Sequence, residues 1–71
     1  MKLSARITAW RQHHGLTQSD LARHIGISAA AVNHWEQGLH EPTHENVALL
    51  SQALGMSLAE FWGTLPSHGA A

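Results

Sequence analysis

The sequence contains no cysteine, few charged residues and no long hydrophobic run. Without cysteine, neither disulfide bonds nor a thiolate zinc site can stabilise the chain. Its apolar runs are only a few residues long, far short of the roughly 20 residues that a membrane-spanning helix needs. With 71 residues, the chain is long enough for one small domain. The fold must therefore depend on a single hydrophobic core.

Basic residues are also scarce, which bears on the partners that the chain could bind. Four Lys and Arg against five Asp and Glu give a formal net charge of −1, whereas nucleic-acid-binding domains usually have a basic excess. Seven histidines can add positive charge just below neutrality. No apolar stretch follows the charged N-terminal residues, so we expect no secretory signal and a cytoplasmic location. A nucleic-acid-binding function must rest on a motif, because net charge does not support it.

The spacing of the apolar residues predicts an all-α protein. No segment alternates apolar and polar residues as a strand would, and apolar residues recur at intervals of three and four. Hydroxyl residues that can cap a helix N-terminus precede four of the predicted helices, at Thr17, Ser28, Thr43 and Ser57. Glycines follow the first four helices, at Gly15, Gly26, Gly38 and Gly55. These signals predict five helices.

The fifth helix and the C-terminus complete the predicted domain. We expect Leu58 and Phe61 to fill the buried face of the short last helix, which leaves the adjacent Trp62 partly exposed. Residues 1–65 are predicted to form one domain. We expect residues 66–71 to be a disordered tail.

The most informative segment spans residues 18–37. Its two predicted helices are separated by Gly26-Ile27, which is too short a connection for an antiparallel hairpin, so the helices must cross steeply. Such a crossing needs a small residue such as Ala22 on the first helix and a glycine that accepts positive φ in the turn. Both requirements are met, which predicts a helix-turn-helix unit.

Several motifs together resemble those of one known family. They are Arg11, Gly15-Leu16-Thr17-Gln18-Ser19-Asp20-Leu21-Ala22, Gly26-Ile27-Ser28, Val32, Trp35-Glu36-Gln37-Gly38, Pro42 and Leu54-Gly55-Met56-Ser57-Leu58. This pattern resembles the Cro/C1-type helix-turn-helix domains of phage repressors and their bacterial relatives, the XRE family. The resemblance extends from Leu3 to Phe61 and implies a compact five-helix, lambda-repressor-like DNA-binding domain.

The resemblance also implies roles for particular residues. The third helix would enter the major groove, and the residues facing the bases would be Ser28, Ala29, Ala30, Asn33 and His34. Gln18 would hold a phosphate at the start of the second helix, Arg11 and Glu36 would form an internal ion pair, and Trp62 with Leu65 would contribute to a dimer interface. Ala29 and Ala30 offer only methyl groups, so hydrogen bonding to bases would fall mainly to Asn33 and His34. The turn Leu39-His40-Glu41 lacks the basic residues that relatives usually carry there.

We therefore predict a sequence-specific regulator, a repressor that binds double-stranded DNA with two half-sites as a homodimer. Two alternatives keep the same fold: a protein-interaction module that no longer binds DNA, or an antitoxin-type protein with a second protein partner. The pairs His13-His14 and His40/His44 raise the alternative of a metal site, but Pro42 interrupts the second pair and no ligand set is complete. We expect no metal and no cofactor. We also expect no enzymatic activity, because the sequence contains no recognisable catalytic constellation.

Overall fold

A computed structural model describes residues 2–65 of the chain. These residues form five helices and no strand, in the order α1 (Leu3–His13), α2 (Gln18–Ile25), α3 (Ala29–Gln37), α4 (His44–Ala53) and α5 (Leu58–Trp62). The all-α prediction is confirmed. The predicted tail, residues 66–71, lies outside the described residues.

The predicted N-caps all make their hydrogen bonds. The Thr17 hydroxyl accepts from the backbone N–H of Asp20, whose carboxylate accepts in return from the backbone N–H of Thr17. Ser57 and Glu60 form the same reciprocal pair at α5. The hydroxyls of Ser28 and Thr43 likewise cap α3 and α4. Each cap satisfies a backbone donor that the helix itself leaves without a partner.

The turn between α2 and α3 depends on Gly26. This residue ends α2 with a φ of 83°, in the left-handed region, where a side chain would be strained. Its backbone N–H donates to the carbonyl of Ala22, as does that of Ile27. The chain therefore passes from α2 to α3 through the short turn Gly26-Ile27-Ser28, which joins the two helices of the predicted helix-turn-helix unit.

One core joins the helices. Five side chains are almost completely buried: Ile7, Leu21, Val32, Leu50 and Phe61. Trp10 and Trp35 are nearly buried as well and belong to the same cluster, and the indole N–H of Trp10 donates to the carbonyl of Phe61 at 2.9 Å. A buried indole donor needs an acceptor, and this hydrogen bond both supplies one and connects α1 to α5.

The prediction for Leu58 was wrong. Its side chain is 47% exposed, and Phe61 alone fills the buried face of α5. Leu58 is the first residue of a helix with only five residues, so its position is set by the turn before α5 and not by a repeating apolar stripe. Of the helices formed by residues 2–65, none combines the length and apolar character required to cross a membrane.

Candidate nucleic-acid interface

The side of α3 that is not packed on the core presents small and polar residues. Ser28 and Ala30 are exposed, while Asn33 and His34 are half-buried. Ala29 is also half-buried and packs partly against the core. Of the residues predicted to face bases, Ala30 is thus more open to solvent than its neighbour Ala29.

Arg11 and Glu36 form an ion pair between α1 and α3. The guanidinium Nε donates to Glu36 Oε2 at 2.6 Å and Nη2 donates to Glu36 Oε1 at 2.9 Å. The two side chains are only 13% and 7% exposed. Arg11 Nη1 also donates to the carbonyl of Leu16 at 2.8 Å. The pair therefore joins the C-terminal ends of α1 and α3 through charged, two-pronged hydrogen bonding.

The surroundings of Glu36 keep its carboxylate ionised. Burial by itself would raise the pKa of Glu36, but hydrogen bonds from Arg11, Gln18 and Thr8, together with the guanidinium charge, bring the pKa below its ordinary value. The hydrogen bond to Glu36 raises the pKa of Arg11, against the opposing effect of burial. Both groups are therefore charged at neutral pH, and the Glu36 oxygens act only as acceptors.

The Gln18 side chain lies between the ion pair and the outer face of α3. Gln18 Nε2 donates to Glu36 Oε1 and to Asn33 Oδ1, each at 3.2 Å. Gln37 Nε2 donates to the same Asn33 oxygen at 3.4 Å. Gln18 was expected to hold a phosphate, but its amide nitrogen is engaged within the protein. Sequence reasoning missed Gln37, although its four-residue spacing from Asn33 could have indicated the contact.

His34 lies close to His40, which follows α3 in the turn leading to α4. Their ring centroids are 5.5 Å apart. Imidazole groups therefore lie near the end of α3 and in the turn Leu39-His40-Glu41, where the family resemblance implies basic residues. Within residues 2–65, no three His, Asp or Glu side chains are grouped as metal ligands would be.

Arg6 has a structural contact that the sequence did not indicate. Its Nη1 atom donates to the carbonyls of Phe61 and Gly63, at 2.8 and 2.7 Å. The guanidinium carbon lies 5.6 Å from the centroid of the Trp62 ring. Arg6 therefore satisfies backbone acceptors at the end of α5 and contacts the face of the Trp62 ring. With Arg11 also held internally, two of the four Lys and Arg are committed to the fold.

The two residues predicted for a dimer interface differ in exposure. Trp62 is 50% exposed, and it lines an open groove with His44, Val47 and Leu58. Leu65 is half-buried against the core. The exposed apolar surface at this end of the domain is thus formed by Trp62 and Leu58, which we call the α5 patch.

The five helices, the tight turn between α2 and α3 and the small and polar outer face of α3 define a helix-turn-helix domain. Residues 7–61 match the family model described as Helix-turn-helix. The chain belongs to this family, in its Cro/C1-type (XRE) branch.

Two curated relatives are repressors. The chain is 35% identical over 63 residues to "Cryptic phage CTXphi transcriptional repressor RstR" of Vibrio cholerae serotype O1, a match covering 89% of the chain and 56% of that protein. It is 36% identical over 55 residues to "Repressor protein C2" of Salmonella phage P22, covering 78% of the chain and 26% of that protein. The chain thus spans about half of one relative and a quarter of the other.

Solved structures of the P22 c2 repressor have the same fold. Its DNA-binding domain in solution superimposes with a TM-score of 0.80 at 33% identity, covering 86% of this chain and 80% of that one. The crystal structure of the P22 c2 repressor with synthetic operator 9T, in the presence of Tl+, has a TM-score of 0.76 at 33% identity and covers 86% and 92%.

Proposed function

We propose that this chain binds double-stranded DNA through α3 and acts as a transcriptional repressor. The observation that carries the proposal is the helix-turn-helix unit, whose second helix presents Ala30, Asn33 and His34 on one side. The P22 c2 repressor, which has the same fold, has been crystallised with an operator. In this geometry the N-terminal part of the second helix contacts base edges while the first helix lies across the backbone.

The residues on the outer side of α3 would make different kinds of contact with DNA. Ala30 can approach a thymine methyl group or the groove floor because its side chain is only a methyl group. Asn33 and His34 carry the polar atoms that can form hydrogen bonds with bases. The side-chain nitrogen of Gln18 is occupied by Glu36 and Asn33. A phosphate at the start of α2 would therefore be bound by backbone N–H groups and not by the Gln18 side chain.

A homodimer suits this domain better than a monomer. Because Arg6 and Arg11 are engaged internally, one copy has few cations to place near phosphates, and its footprint on DNA is electrostatically weak. Two copies related by a two-fold axis double these contacts and place two α3 helices about 34 Å apart, one turn of B-DNA. The α5 patch provides an apolar surface that can meet its own copy across such an axis.

Binding to random-sequence duplex DNA at several salt concentrations tests the proposal. Affinity should fall steadily as salt rises, since counterions are released when phosphates are neutralised. Ala30→Glu should abolish binding, because it carries a negative charge to the exposed start of α3. The matched control is Gln52→Glu on α4, which changes the net charge equally at an exposed position outside the helix-turn-helix unit and should retain most of the binding. Equal loss in both variants would move the interface away from α3.

A protein-interaction module is the second candidate, and the scarcity of available cations favours it. The net charge is −1, and the α5 patch exposes Trp62 and Leu58. On this alternative, duplex DNA would not bind at any salt concentration, while substitution of the α5 patch would still alter association with protein. The same DNA titration therefore separates the two candidates.

A further inference from the structure

The carbonyl oxygen of Asn33 is fully occupied within the protein. It accepts hydrogen bonds from Gln18 Nε2 and from Gln37 Nε2. A carbonyl oxygen has two lone pairs, so two donors use its accepting capacity. No hydrogen bond between described residues involves Asn33 Nδ2. Within residues 2–65, the one buried side-chain nitrogen or oxygen without a hydrogen-bond partner is Arg6 Nε. Asn33 Nδ2 has no partner either, so it cannot be a buried atom. Asn33 Nδ2 is therefore accessible from outside.

This orientation follows from the charge on Glu36. An amide has similar shape at its oxygen and nitrogen ends, so only its partners decide which end lies where. The Gln18 group that lies 3.2 Å from Glu36 Oε1 must be the nitrogen, because an ionised carboxylate can accept but cannot donate. The second proton of that nitrogen is then directed to Asn33, which must offer its oxygen in return.

A chain of forced choices thus runs from Arg11 through Glu36 and Gln18 to Asn33. Rotating the Asn33 amide by half a turn would place its NH₂ group against the NH₂ group of Gln18, whose orientation Glu36 fixes. That arrangement would lose the hydrogen bond from Gln18 and bring two donors into contact. Gln18 is therefore the positioning residue for the Asn33 amide, and Gln37 adds a second donor to the same oxygen.

We infer that Asn33 is a specificity-determining residue that acts only as a hydrogen-bond donor to the DNA. The inference rests on the proposed DNA-binding function. In the major groove, guanine presents two acceptors and thymine presents one, whereas cytosine presents a donor. Recognition of adenine by asparagine uses the amide oxygen and nitrogen together, and here the oxygen is occupied. Adenine could then form one hydrogen bond through its N7 acceptor, with its N6 donor left unpaired. Asn33 therefore favours guanine or thymine over adenine at the base it contacts and disfavours cytosine.

Selection of binding sequences from a random duplex pool tests this inference. The wild-type protein should enrich guanine or thymine at one position of each half-site, and Asn33→Ala should lose that preference while keeping those at other positions. Asn33→Asp retains an inward acceptor but presents an oxygen outward, so the preference should shift towards cytosine. The matched control is Asn46→Asp on α4, which should leave the selected sequence unchanged. At the contacted position, the wild-type preference should be about five- to tenfold in affinity.

Gln18→Ala provides a second test that does not alter Asn33 itself. Without Gln18, one of the two bonds to the Asn33 oxygen is lost, so the amide can turn and the affinity for adenine at the same position should rise relative to guanine and thymine. Thermal melting followed by circular dichroism verifies that each variant is folded. A wild-type requirement for adenine, or an Asn33→Ala variant with unchanged preference, would overturn the inference while leaving DNA binding intact. Failure of the wild-type protein to bind any duplex would remove the proposed function and the inference together.

Discussion

The ion pair between Arg11 and Glu36 should be strongly coupled in the folded state. Glu36→Ala removes both charged hydrogen bonds to a guanidinium that is only 13% exposed, but leaves Arg11 its bond to the Leu16 carbonyl. Arg11→Ala leaves a carboxylate that is 7% exposed with hydrogen bonds from neutral donors only. Removing one partner of a buried pair costs about 3–5 kcal/mol. Because each remaining group keeps some partners, we expect about 3 kcal/mol for either single substitution.

The double variant separates the interaction from the individual costs. With both charges gone, neither remains buried without its partner, so the combined loss should be smaller than the sum of the single losses by about 2 kcal/mol. Urea unfolding of the wild type, both single variants and the double variant gives this coupling free energy. The exposed pair Arg23 and Asp20, joined at 3.1 Å, is the control and should give no measurable coupling. Additive losses at Arg11 and Glu36 would refute the argument that this pair is the buried link between α1 and α3.

Three further predictions concern acid stability, association and the end of α5. The fold lowers the pKa of Glu36 below its ordinary value of 4.5, so its stabilising contribution is present above that pH and is lost as the pH falls through the folded-state pKa. Chemical unfolding from pH 6 to 3 should show this loss, and Glu36→Gln should make the free energy of unfolding depend less steeply on pH. Trp62→Ala should shift sedimentation equilibrium towards monomer with little change in thermal stability, since half of the side chain is exposed; unfolding of this variant would make Trp62 a core residue, and unchanged dimerisation would place the interface elsewhere. Arg6→Ala should destabilise the fold by about 2 kcal/mol through loss of two charged hydrogen bonds to carbonyls, whereas the exposed Lys2→Ala should have no effect in the same urea titration.

Local signals in the sequence predicted the helices well because each signal acts within one turn. Thr17 and Ser57 cap their helices through hydrogen bonds with residues three positions away, and Gly26 needs only its own backbone conformation to end α2. These interactions depend on neighbours in the chain, so spacing alone was enough to find them. The prediction for Leu58 failed because the short α5 has no repeating stripe from which its orientation could be inferred.

The arrangement of the candidate site depends on the crossing of α1, α2 and α3, which the sequence does not specify in detail. That Arg11 pairs with Glu36 was suggested by the family resemblance. The contact between Gln18 and Asn33 joins residues on different helices, and Arg6 meets carbonyls 55 and 57 residues away. Backbone carbonyls are present at every residue and leave no mark in a sequence pattern, so the role of Arg6 is visible only in the folded structure.

The long separation between α1 and α5 has a consequence for the order of folding. Arg6 and Trp10 donate to the Phe61 carbonyl across 55 and 51 residues. Closing a loop of that length costs roughly 3–4 kcal/mol of chain entropy, whereas the α2–α3 unit is assembled from neighbours. We therefore expect α5 to dock last and to detach first, with the amide of Phe61 exchanging its hydrogen sooner than that of Val32. Since Trp62 is held in place by the same contacts, a partly folded chain has no ordered α5 patch to present. In the proposed homodimer, a second copy would then associate only with a chain that has finished folding.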